Sequence, residues 1–138
     1  MKITKKQLFF YWLPVTVFCV ILFIQSCFPS PDVGPLFPHK DKVLHMTAYG
    51  VLAALFYRAC RVTWPGHLTP VQLLAVSVCF ATLYGVSDEV HQAFVAVRQA
   101  DGYDLLADFS GSILGALGYM AMTFEKKAGE GKHRKNRQ

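Results

Sequence analysis

The chain has 138 residues, 53% of them hydrophobic and 17% charged, with a formal net charge of +5 at pH 7. A soluble domain carries about 25% charged residues, and the apolar residues here fall into long blocks, which excludes an ordinary soluble enzyme and favours a one-domain membrane protein. The positive balance does not signal nucleic acid, because the basic tail EKKAGEGKHRKNRQ offers no aromatic platform for bases.

A membrane-crossing helix needs about 20 mostly apolar residues, and four segments qualify. The first, LFFYWLPVTVFCVILFI, covers about 8–26 and contains Pro14, where a kink is expected. It ends at IQSC, but Gln25 and the length of the apolar run argue against lipoprotein processing at Cys27. Pro29, Pro31, Pro35 and Pro38 then break the chain. The second span, DKVLHMTAYGVLAALFYRAC, covers about 41–61, and TWPGHLTP separates it from the third. The third, VQLLAVSVCFATLYGVSDEVHQAFV, covers about 71–95, and the fourth, DLLADFSGSILGALGYMAMTF, about 104–124. Tyr11, Trp12, Tyr57 and Trp64 fall near the predicted interfaces, where amphipathic rings are favoured. Cys19, Cys27, Cys60 and Cys79 show neither a CxxC pair nor a Cys–His zinc spacing, so no disulfide framework is expected.

The expected fold is all-α, an integral membrane bundle of four transmembrane helices. Lys2, Lys5 and Lys6, then Arg58 and Arg61, then Lys126, Lys127, Lys132, Arg134, Lys135 and Arg137 all fall on one side of such a bundle. Only Lys40, Lys42 and Arg98 fall on the other. The positive-inside rule therefore predicts that both termini are cytoplasmic. Residues 1–7 are the cytoplasmic N-terminus, 8–124 the membrane domain, and 125–138 a basic, disordered tail.

With that direction, Asp41 and His45 on span two, Asp88, Glu89, His91 and Gln92 on span three, and Asp104 and Asp108 on span four share the outer end. Asp41, His45 and Tyr49 recur at helical spacing on one stripe. Tyr84, Asp88, His91 and Gln92 share a stripe on span three, with Glu89 to one side. Asp104, Asp108, Gly111, Gly115 and Gly118 share one on span four, where glycines let a neighbouring helix approach closely. Ionisable residues within a membrane usually face the bundle interior or a wet cavity and mark function.

Each residue also has a plainer reading. Asp41 with Lys42 suits an interfacial pair, His45 a donor to a backbone carbonyl, Arg98 a snorkelling side chain and Asp104 a helix cap. Asp88 and Glu89 are adjacent carboxylates, which repel unless protonated, paired or metal-bound. His45, Asp88, Glu89 and Asp108 are the candidates for acid–base or ligand chemistry. Lys42, Tyr49, His91, Gln92, Arg98 and Asp104 are the candidates for binding. Glu89-x-His91 is not a metalloprotease spacing, so neither a metal nor any other cofactor is named from the pattern.

DKVLHMTAY, YGVSDEVHQAFVAVR and DLLADFSGSILG together resemble the VanZ-like family, in the right order over about 41–118. Asp41, Lys42, His45, Tyr49, Asp88, Glu89, Gln92, Arg98, Asp104, Asp108, Gly111 and Gly115 occupy its motif positions. Ala96-Val97 stands where the family often has Pro-Gly, and Asp108 where it often has Asn. The resemblance implies a small bacterial inner-membrane protein of the cell envelope, its namesake being associated with reduced susceptibility to the lipoglycopeptide teicoplanin. The expected partners are membrane lipid and lipid-linked cell-wall intermediates or a lipoglycopeptide, with no nucleic acid. An enzyme acting on such a molecule, a binding protein without turnover and a structural subunit all fit the residues. A proton-coupled transporter fits less well, since no pair of broken helices marks a midplane site.

Overall fold

Helix starts in this chain are set by short polar caps in front of apolar runs. The computed structural model describes residues 4–28, 39–95 and 101–135. Thr4 opens α1 (Lys5–Ser26): its hydroxyl accepts from the Gln7 amide while the Gln7 side chain accepts from the Thr4 amide. The same reciprocal box, Thr69 with Gln72, opens α3 (Pro70–Gln92), with Pro70 in the first turn, where a missing N–H costs nothing. α2 (Lys40–Thr63) starts after His39, whose φ of 64° turns the chain into the helix without a side-chain cap. α4 (Gly102–Lys135) starts after Asp101, whose Oδ1 accepts from the Tyr103 amide at 2.9 Å.

All four helices are long and apolar enough to cross a membrane, and the predicted spans match them within a few residues at each end. α1 runs unbroken through Pro14. The tail expected to be disordered from residue 125 is helical as far as Lys135. Once a helix is nucleated each further residue is cheap, and the stretch EKKA after Phe124 is a good continuation.

The tightest pairing is between α2 and α4, which run parallel in a constant register. Lys42 meets Asp104, His45 meets Asp108, and Tyr57 meets Tyr119 with ring centroids 5.5 Å apart. Small residues allow it. A Cβ on Gly111 would collide with the Met46 carbonyl, one on Gly115 with the Gly50 carbonyl, and one on Gly50 would stand 2.9 Å from the Gly111 carbonyl. Lipid tails are as apolar as leucine, so close backbone packing rather than hydrophobic burial holds such a pair. Gly118, expected on the same packing stripe, has open space in front of it.

α3 packs across both, burying Leu73, Ser77, Ala81 and Gly85. α1 leans on α2 and the near side of α3 and buries only Val15 and Ser26. Trp12 fixes its height, donating to the Thr63 hydroxyl at 2.9 Å and meeting Phe56 edge-on. Arg58 lies over the Tyr11 ring at 4.7 Å. Tyr57, expected near an interface, faces inward and is buried against Tyr119.

Candidate functional site

Because α2 and α4 are parallel and α3 runs against them, the start of α2, the end of α3 and the start of α4 meet at one end of the bundle. The ionisable groups converge there. His45 is buried, and its Nδ1 lies 2.9 Å from Oδ1 of Asp108, which is 0% exposed. The imidazole N–H donates and the carboxylate accepts. The other ring nitrogen, Nε2, is 3.9 Å from Asp104 Oδ2. Lys42 reaches down to the same group, donating to Asp104 Oδ1 at 2.8 Å and to Asp101 Oδ2 at 2.7 Å. The ammonium beside it holds the Asp101 carboxyl below the usual aspartate range.

α3 contributes two adjacent carboxylates with different partners. Asp88 turns inward, where its Oδ2 accepts from Gln92 Nε2 at 2.9 Å one turn later; Gln92 is 1% exposed. Glu89 faces the α2–α4 seam, and its Oε2 accepts from the backbone amide of Asp101 at 2.9 Å. Tyr49, 1% exposed, stacks with the His45 ring, and its hydroxyl faces Asp88 without completing a hydrogen bond.

The structure thus brings Lys42, His45, Tyr49, Asp88, Glu89, Gln92, Asp104 and Asp108 together. It sets His91 apart. That ring faces α1, 4.9 Å from the Phe23 ring, with Nε2 3.4 Å from Cys27 Sγ. Glu89, expected beside the stripe, is at the seam instead. Arg98 and the Ala96-Val97 departure lie outside the described residues.

Two contacts at this end were not expected from the sequence. Asp101 caps α4 and pairs with Lys42, leaving Asp104, the expected cap, free to turn inward. The signal was there in DGYD, where Asp101 is as good a capping residue as Asp104 and stands three residues earlier. The Cys27–His91 contact had no local signal, since the two are far apart in sequence.

Ligand-type residues form two overlapping trios at His45: Asp41–His45–Asp104 and His45–Glu89–Asp108. In each, one ligand atom per residue lies within 4.8 Å of the others. Lys42 is committed to two carboxylates, so it brings no spare positive charge. A cavity of about 180 Å³ at the far end of the bundle, bounded by Tyr57, Arg61, Trp64 and Phe124, holds none of the candidate residues.

The chain belongs to the VanZ/LLP1 family, whose model matches residues 10–123. No curated protein and no solved structure matches it. It is a multi-pass membrane protein by its four apolar helices and by that membership.

Proposed function

We propose that this VanZ/LLP1 family member sits in the bacterial inner membrane with both termini in the cytoplasm, and that its polar end binds or modifies a lipid-linked or anionic envelope molecule at the outer leaflet. The observation that carries the reading is the convergence, from three separate helices, of Lys42, His45, Glu89, Asp104 and Asp108 at one depth. Groups that are costly in a membrane are gathered rather than scattered, and the end they occupy is opposite Arg58 and Arg61. His45 held on Asp108 is in a fixed orientation, as a general base or a ligand needs to be. Glu89 lies at the seam between helices, where a headgroup entering from the outer leaflet would meet it. Arg98, expected at this end from the sequence, would receive an anionic group, since Lys42 is already paired with Asp101 and Asp104.

The family link to glycopeptide resistance supplies the test. A sensitive bacterium is made to express the wild type, Glu89→Gln or Arg98→Ala at matched membrane levels, and teicoplanin susceptibility is measured. The reading expects protection by the wild type and loss of protection in both variants. Full protection by both variants would sink it.

A structural-subunit reading has one observation of its own: the Lys42–Asp104 and His45–Asp108 pairs tie α2 to α4. Under that reading His45→Ala lowers protein abundance before it changes susceptibility.

A further inference from the structure

Two buried carboxylate oxygens at the polar end have no hydrogen-bond donor. Asp108 is 0% exposed; its Oδ1 accepts from His45, and its Oδ2 has no partner. That oxygen is turned toward α3, 2.6 Å from where a Cβ on Gly85 would stand, one turn before Glu89. Glu89 repeats the pattern: Oε2 accepts from the Asp101 amide, while Oε1 is buried without a partner. Each such oxygen carries a desolvation cost that native proteins rarely leave uncompensated. The Tyr49 hydroxyl, itself without a partner, offers a single hydrogen and faces Asp88.

We infer that His45, Glu89 and Asp108 bind one divalent transition-metal cation. Their ligand atoms lie within 4.8 Å of one another, and ligands about 2.0–2.2 Å from a first-row ion stand some 3–4 Å apart, so a small adjustment closes the site. One imidazole and two carboxylates make a mixed nitrogen and oxygen set of the kind that takes zinc, iron or manganese. The two carboxylates match the dication in charge. The ion takes up both partnerless oxygens. His45 ligates through Nδ1 in its other tautomer, exchanging the bond to Asp108 for the metal. The proton then resides on Nε2, which faces Asp104 Oδ2 3.9 Å away. A metal-bound imidazole ordinarily donates to a carboxylate behind it, and a shift of about 1 Å would complete that bond here. The inference rests on these three side chains and their surroundings, and holds whatever molecule the polar end receives.

The full chain is purified in detergent micelles, stripped with EDTA and titrated with Zn²⁺ and, separately, with Mn²⁺. Calorimetry gives the affinity, and plasma mass spectrometry after desalting counts the bound ion. The expected result is one ion per chain for at least one of the two metals. Glu89→Gln and Asp108→Asn should each weaken binding at least tenfold, and Asp41→Asn should change it less than about twofold. Retention of neither metal overturns the inference, as does wild-type affinity in Glu89→Gln. Loss in Asp41→Asn with Glu89→Gln unaffected would put the ion on the other trio and overturn it equally. Asp108 is wholly enclosed, so where Asp108→Asn does not give the wild-type helical spectrum, Glu89→Gln decides.

Discussion

Two aspartates compete for one lysine at the polar end, and their surroundings make them unequal. Asp104 is buried with its Oδ1 on Lys42, whereas Asp101 is substantially exposed. Asp104→Asn takes the charge from a carboxylate that is only 3% exposed and holds Lys42, and should cost about 1–3 kcal/mol. Asp101→Asn should lower the midpoint of thermal unfolding in detergent much less, because its pair is screened by solvent. Equal losses in the two variants would contradict this ranking. The pH dependence has a definite sign. Lys42 depresses the Asp101 carboxyl in the folded state. The stabilisation is therefore present above the ordinary aspartate pKa of about 3.9 and is lost as pH falls through the lowered value. Wild type should unfold above Asp101→Asn at neutral pH, and the two curves should converge in acid.

The polar residues themselves were legible, because charge inside an apolar run is conspicuous in any reading. What the sequence left open was aim. Adjacent residues on a helix differ by about 100° in direction, so Asp88 and Glu89 cannot share a face. Which of them meets His45 depends on how α3 lies against the other helices. The helical wheel put His91 on the stripe and Glu89, though a candidate, to one side of it; packing brings Glu89 to the seam and turns His91 to Phe23 and Cys27 on α1. Asp104 was read as a possible cap because it begins the apolar run, yet the helix starts earlier and Asp101 caps it.

At the scale of elements, the α2–α4 pair depends on backbone contact at two glycines. Gly111→Ala and Gly115→Ala each place a methyl group against an α2 carbonyl, which can yield only by separating the helices. Overpacking of this kind costs about 1–3 kcal/mol. Gly118→Ala, one turn on with open space before it, should be neutral or slightly stabilising through helix propensity. Unfolding midpoints in detergent separate the two classes, and a loss in Gly118→Ala as large as in Gly115→Ala would refute the assignment. Gly85→Ala is a different case. Its methyl group would press on the Asp108 carboxylate rather than on backbone. It should disturb the His45–Asp108 hydrogen bond, visible as a shift of the imidazole nitrogen resonances, with little loss of helix.

The number of helices and their approximate limits were readable from hydropathy, since length and apolar content are additive along the chain. The glycine stripe was readable too, but its end was not. A Cβ at Gly118 would meet nothing within 4 Å, although Tyr119 beside it still packs on Tyr57. Helix propagation past Phe124 was masked in the sequence by Gly129 and Gly131, each costing only about 1 kcal/mol in a helix already formed.

For the molecule as a whole, four crossings put both termini on the same side, and the remaining question is which side. Lys5, Lys6, Arg58 and Arg61 lie at one end of the bundle, while Asp41, Asp101 and Asp104 lie at the other. Basic residues next to short loops resist translocation, so the basic end should stay in the cytoplasm and the acidic end should face outward. Single cysteines report on this once the four native ones are replaced. Gly102, where α4 begins, has nothing within 4 Å of an added Cβ. His67, in the turn between α2 and α3, is exposed at the opposite end. In intact cells a membrane-impermeant maleimide should label Gly102→Cys and leave His67→Cys untouched until the membrane is opened. The reverse pattern would put the carboxylates in the cytoplasm, where no outer-leaflet molecule reaches them, and the proposed envelope role would fall with the topology.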